Sequence, residues 1–336
     1  MPSIVIPTSY ESKLNSMQTE KALKIVKDHF EHELSKSLNL MKVSAPLILK
    51  NGTGINDNLN GVERMVTFEA LHLNDVQLEI VQSLAKWKRT ALSRYGFKLG
   101  EGLYTDMKAL RRDEEQDNVH SIYVDQWDWE KVILHEQRNL LTLKTEVLKI
   151  YKTIKSTEAH LHLAFPELEP ILPEQIQFIT TQELEYLYPD LSPSQREDQI
   201  AKQYGAVFIM QIGGKLNSGE PHDGRSPDYD DWSLNGDIVL WYPVLDRAFE
   251  VSSMGIRVDK SSLSEQLELS GTEHRKSLEY HQSVLDESLP FTIGGGIGQS
   301  RLCMFLLKKA HIGEVQVSVW NDQILKDCKE GNIELL

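Results

Sequence analysis

The run GGGIGQSR at 294–301 places Gly294, Gly295, Gly296 and Gly298 just before Arg301. Backbone free of side chains admits a flat or highly charged ligand. A guanidinium at the start of the apolar helix that follows can stack on an adenine ring or pair with phosphate. The run lacks the Lys-Ser/Thr ending of a phosphate-binding P-loop. It also lies close to the C-terminus with no βαβ unit before it, so alone it reads equally well as a structural turn. Between Val81 and Gly100 stand Lys86, Lys88, Arg89, Arg94 and Lys98 with no acid among them. That stretch is either a solvated helix face or a positive wall for an anionic substrate. Residues 217–237 reverse the sign, with Glu220, Asp223, Asp228, Asp230, Asp231 and Asp237 against Arg225. Clustered carboxylates suit a metal ion or an ammonium group, and a charged loop looks the same.

These groups need elements to hold them. Period-two geometry over 119–129 puts His120, Ile122, Val124, Gln126 and Asp128 on one strand face, with Trp127 and Trp129 opposite. Gln126 and Asp128 then project together. A strand over 247–253 likewise pairs Glu250 with Ser252 on one face. Asp57 sits in the Asn- and Gly-rich loop NGTGINDNLNG, a connection that also suits close approach to a polar ligand. Helices are expected over 17–38, 84–94 (capped by Ser83), 131–160, 194–204 and 273–286. Strands are expected over 75–81, from 100 into a charged turn by 115, and over 176–180, 206–214, 237–242 and 314–320. Pro46 makes Met41–Leu49 an edge or extended segment. Separated strands, hairpin-like connections and flanking helices describe a mixed α+β fold around a largely antiparallel sheet. A doubly wound parallel fold would show steadier βαβ alternation.

Composition sets the outer bounds. The 336 residues carry 36 Lys+Arg and 50 Asp+Glu, a formal charge of −14, which argues against a general nucleic-acid binder. Two cysteines, Cys303 and Cys328, do not make a disulfide scaffold. The start has no signal-peptide pattern, and no long apolar run marks a transmembrane span. A cytoplasmic protein without membrane or stable nucleic-acid partners is the expectation.

GGGIGQSRL resembles motif three of class II aminoacyl-tRNA synthetase catalytic domains, and ALRRDEE at 109–115 resembles their motif two. With NGTGINDNLNGVE, QSLAKWKR, GEGLYTDMKALR, HSIYVDQWDWE, YDDWSLNGDI and FEVSSMGIRVD, the chain looks like the bacterial ammonia-dependent asparagine synthetases, or aspartate–ammonia ligases. The blocks fall in order along nearly the whole chain. The resemblance implies one class II synthetase-like catalytic domain over 17–336, behind a flexible extension at 1–16, working as a homodimer. It implies ligation of ammonia to the side-chain carboxylate of L-aspartate with ATP and Mg2+, through a β-aspartyl-adenylate.

The same resemblance implies residue roles. Arg111 becomes the clamp between the aspartate carboxylate and the α-phosphate, and Arg301 an ATP contact over the glycines. Asp237 and Glu250 lie near ATP or its magnesium. Lys88 receives a substrate carboxylate, and Asp128 the α-ammonium with Gln126 beside it. Asp57, Asp230 and Ser253 are polar pocket residues, Asp57 either orienting ammonia or deprotonating ammonium. One departure touches motif two, where Arg111-Arg112-Asp113 stands for the usual Arg-Pro-Asp and puts the turn's conformation in question. Two rivals remain: an aspartyl-adenylate-forming tRNA synthetase relative, and an inactive regulatory paralogue. The first lacks room for an anticodon-binding domain, and the second is disfavoured by the presence of Arg111, Glu250 and Arg301.

Overall fold

The computed structural model describes residues 4–57, 59, 63–73 and 75–336. Asn15 opens helix α1 (Ser16–Leu38): its side chain accepts the Gln18 amide while the Gln18 side chain accepts its own. The buried stripe Ala22, Val26, Phe30, Leu34 and Leu38 follows helical spacing, and Asn39 ends the helix in the left-handed region at φ 59°. Strand β1 (Leu40–Lys42) follows, then β2 (Ile48–Lys50), β3 (Thr67–Phe68) and β4 (Leu78–Ile80). Next come α2 (Ala85–Tyr95), β5 (Gly102–Leu110), β6 (Tyr123–Val132) and α3 (Leu140–Ala164). The chain continues through β7 (Gln177–Thr180), α4 (Thr181–Leu187), α5 (Pro193–Tyr204), β8 (Ala206–Met210), β9 (Asp230–Tyr242) and β10 (Arg247–Arg257). It closes with α6 (Lys260–Leu269), α7 (Glu279–Leu285), β11 (Thr292–Gly298), α8 (Gln299–Leu306) and α9 (Asp322–Glu330).

Eight strands form one sheet in the order β1-β5-β6-β11-β10-β9-β8-β7, and β2-β4-β3 form a small second sheet. Among the described residues only the outermost pairs of the large sheet, β1 with β5 and β7 with β8, are parallel. One face of this sheet packs Trp127, Trp129, Leu240 and Ile297 against α1, α3 and α8 in the main core. The other face is covered at its two ends. Leu103 and Met107 pack on α2 at one end, and Val207 and Val239 on α4 and α5 at the other. Between these covers the middle strands carry polar side chains, which leaves a trough floored by β6, β11, β10 and β9. No described helix is long and apolar enough to cross a membrane.

The mixed, mostly antiparallel sheet agrees with the sequence reading, and several details correct it. Residues 4–15 are not a loose extension. Ile4 and Leu14 are buried, Val5 exchanges two backbone bonds with the Asn118 side chain, and Lys309 donates to Ser12 Oγ and the Leu14 carbonyl. Residues 1–3 lie outside the described part. The long helix starts at Leu140 rather than 131 because β6 runs on to Val132 and Asn139 supplies the cap. The helix expected over 273–286 is a 3-10 turn followed by α7. Residues 314–320 are not a strand: Val317 and Val319 are exposed and have no ladder to join. The strand at 206–214 stops at Met210, since Gln211 takes φ 65°.

Candidate active site

The trough opens into a cavity of about 380 Å³. Asp57, Lys88, Arg111, Gln126, Asp128, Asp230, Glu250, Ser253, Gly295, Gly296, Gly298 and Arg301 line it. Of the site residues expected from the resemblance, Asp237 and Gly294 do not line it. Arg225, which does line it, pairs with the Asp237 carboxylate.

Register explains the floor. Gly294, Gly296 and Gly298 lie directly opposite Glu130, Asp128 and Gln126, so all six share the trough face. A Cβ on Gly296 would overlap the Gln126 amide, and one on Gly294 would overlap the Glu130 carboxylate. The glycines therefore make room for β6 side chains to lie across β11. Period two in β10 is broken by a bulge between Glu250 and Ser252. Glu250 consequently shares its face with Ser253, which sits opposite Asp237, while Ser252 donates to the Gly296 carbonyl at 3.0 Å. The expected Glu250–Ser252 pairing is corrected to Glu250–Ser253.

The basic stretch splits. Lys86, Lys88 and Arg89 are buried, whereas Arg94 and Lys98 are exposed. Lys88 Nζ donates to Asp128 Oδ1 and, at 3.1 Å, to the Gly295 carbonyl. Burial pushes Lys88 down and Asp128 up, each opposed by the attraction of the other. The two residues expected to hold opposite ends of a zwitterion thus hold each other. Behind them Arg257 donates to Glu130 from Nε and Nη2, the latter at 2.7 Å, and pairs with Asp230 through Nη1. Thr292 adds a bond to Glu130 at 2.6 Å. Burial raises the Asp230 carboxyl, while Arg257 and Lys88 hold Glu130 below its ordinary range despite burial. Glu130 and Arg257 escaped the sequence reading, although Glu130 simply continues the Gln126–Asp128 alternation.

Arg111 follows the end of β5, its amide donating to the Ile122 carbonyl at 2.9 Å. Its Nε is buried with no partner among the described residues, and Nη1 lies 3.6 Å from Glu114. The motif-two turn holds its shape without proline because Asp113 accepts the Arg64 amide at 2.8 Å and the Arg64 guanidinium as well. Those bonds lower Asp113 to about 2. Arg301 Nη1 donates to the Glu250 carbonyl at 3.1 Å and reaches Glu250 Oε2 at 3.3 Å. Asp57 is buried, and among the described residues neither carboxylate oxygen accepts a hydrogen bond; burial raises it to about 6 against the pull of Lys86.

Asp237 bears on a metal. Burial pushes its carboxyl upward against the pull of Arg225, Glu250 and Glu197 push it further, and Oδ1 is buried with no partner among the described residues. An added cation relieves such a state. Among the described residues no three His, Cys, Asp or Glu side chains converge. Asp237 and Glu250 thus offer two carboxylates, which suits an ion that completes its shell with phosphate and water oxygens.

A family model described as aspartate-ammonia ligase matches residues 17–332. An aspartate–ammonia ligase of Clostridium perfringens (strain SM101 / Type A) is 58% identical over 336 residues, covering 100% of both chains. One from Levilactobacillus brevis is 56% identical over 333 residues, covering 99% of each. Among solved structures, asparaginyl-tRNA synthetase from Pyrococcus horikoshii complexed with asparaginyl-adenylate superposes with a TM-score of 0.66 at 13% identity, covering 90% of this chain and 68% of that one. Aspartyl-tRNA synthetase from Entamoeba histolytica gives 0.58 at 13% identity, with 90% and 58% covered. These likenesses establish the class II synthetase fold. The family match runs the length of the chain: it belongs to the aspartate-ammonia ligase family.

Proposed function

We propose that this aspartate–ammonia ligase works through a β-aspartyl-adenylate, forming L-asparagine, AMP and diphosphate. A carboxylate is a poor acyl donor because oxide is a poor leaving group. Attack of the aspartate side-chain carboxylate on the α-phosphorus of ATP replaces that leaving group with AMP and expels diphosphate. Ammonia then attacks the activated carbonyl, and the C–O bond to AMP breaks. Positioning and electrostatics supply this catalysis without a covalent enzyme intermediate.

The observation that carries the reading is the buried Lys88–Asp128 pair beside a glycine floor flanked by Arg111 and Arg301. Bound aspartate replaces one internal ion pair by two: its α-carboxylate meets Lys88, and its α-ammonium meets Asp128 beside Gln126. No buried charge loses its partner in that exchange, so the large cost of an orphaned ion is avoided. Asp230 and Ser253 complete the polar wall, Asp230 fixed by Arg257. Arg111 spans the reacting carboxylate and the α-phosphate, where a guanidinium fork fits both. Arg301 leaves Glu250 to meet the nucleotide over Gly295, Gly296 and Gly298. Asp237 and Glu250 would hold Mg2+ together with phosphate oxygens, and the ion, when bound, neutralises phosphate charge.

The chain acts as a single catalytic domain, as a homodimer in the cytoplasm, without membrane or stable nucleic-acid partners. Purified protein given aspartate, ATP, Mg2+ and ammonium should form asparagine, AMP and diphosphate in equal amounts. ADP in place of AMP, or no asparagine from folded protein, contradicts the reading. Glutamine as sole donor should be poor.

A further inference from the structure

A second ionic cluster is buried behind Asp57, and the residue roles above leave it unused. Lys86 projects from α2 with Nζ 3.1 Å from Asp228 Oδ2 and 3.9 Å from Asp57 Oδ1. Asp228, fully buried, also accepts Ser226 Oγ at 2.8 Å, Arg275 Nη1 at 3.1 Å and contacts His281 Nε2 at 2.9 Å. Donors therefore converge on Asp228, while among the described residues neither Asp57 oxygen accepts a hydrogen bond; the nearby Ser226 hydroxyl donates to Asp228 instead. Lys86 sits at ion-pair range of Asp57, yet its hydrogen bond goes to Asp228.

We propose that Lys86 is a positioning residue for the amination step: locked on Asp228, it favours the Asp57 carboxylate and leaves both oxygens open to an incoming ammonium. This rests on the adenylate route above. Ammonium brings N–H donors that match two free oxygens and cannot attack until it gives up a proton. Asp57 takes that proton, the nitrogen pair forms the C–N bond, AMP leaves with the C–O pair, and the amide nitrogen sheds its second proton to solvent. Burial raises Asp57 to about 6, which makes it a better proton acceptor than an exposed carboxylate. The charged and titratable groups around the pair are Asp228, Arg275, His281 and Tyr280, with Tyr229 against Asp57 and Glu79 against Lys86.

The test separates activation from amination. Aspartate-dependent ATP–diphosphate exchange without ammonium reads the first half-reaction, and asparagine formation against ammonium concentration and pH reads the second. In Lys86→Met, exchange should stay within about threefold while kcat/KM for ammonium falls ~100-fold, and its acid limb should move up by about one pH unit. Lys86→Arg should restore most of both. Exchange and synthesis falling together in folded Lys86→Met, or an unchanged ammonium and pH dependence, would overturn the inference. If Lys86→Met does not fold, Arg275→Gln, one contact further out, must shift the limb the same way by less; an unmoved limb overturns it. Wild-type protein that exchanges no diphosphate with aspartate alone overturns the adenylate route, and the inference with it.

Discussion

Arg111 has a buried Nε with no partner among the described residues, and Arg301, part exposed, reaches the Glu250 carbonyl and carboxylate. Groups so placed are available to a ligand. Arg111→Ala and Arg301→Ala should each lower kcat/KM about 10²- to 10⁴-fold with little change in melting temperature; activity equal to the parent in either variant contradicts its role. Lys88 and Asp128 behave differently because each is the other's buried partner. Lys88→Met should destabilise the folded chain by about 3–5 kcal/mol by leaving Asp128 unpaired, and Lys88→Met with Asp128→Leu by less. Denaturant unfolding of the single and double variants checks this, and equal losses contradict it. At this scale the sequence exposed the site through residue types at short spacings, such as Gln126 with Asp128 and glycines before Arg301. Arg257 stayed hidden because its partner, Glu130, lies 127 positions away.

Alternation placed Gln126 and Asp128 correctly on β6, whose ladder with β11 is unbroken from Thr292 to Gly298. The same rule failed on β10, where the bulge after Glu250 swaps Ser252 for Ser253 on the trough face. An extra residue in one strand leaves no mark in the pattern of residue types, so the sequence could not show it. Strand-like composition at 314–320 failed for a related reason: β-branched residues form a strand only beside an open edge. The glycines of β11 give a test at this scale. Gly296→Ala pushes on the end of the Gln126 side chain, which can swing away, and should cut activity ~10-fold or more at small cost in stability. Gly294→Ala meets the Trp129 carbonyl as well as Glu130. Overpacking against backbone should cost about 1–3 kcal/mol or more. Comparable melting temperatures for the two variants would count against this account of the floor.

Over the whole molecule a charge of −14 conceals a buried cationic wall made by Lys86, Lys88, Arg89 and Arg257, and the average composition could not reveal it. The carboxylates around that wall predict how ligand-free stability follows pH. Asp57, Asp128, Asp230 and Asp237 are raised, so the folded state binds their protons more tightly and loses stability as pH climbs through their folded values, about 6 for Asp57. Glu130 and Asp228 are lowered, and Asp113 sits at about 2, so their contribution is complete above the ordinary carboxylate range and fades as pH falls below it. The melting temperature of the ligand-free protein should therefore peak at about pH 4, within the ordinary carboxylate range; a peak at pH 8 contradicts these directions. The central claim is that aspartate is activated at its side-chain carboxylate by AMP. Turnover with aspartate labelled by ¹⁸O in that carboxylate tests it most directly, by mass spectrometry of the nucleotide product. The adenylate route predicts one labelled oxygen in the phosphate of AMP, and label appearing instead in inorganic phosphate beside ADP would contradict it.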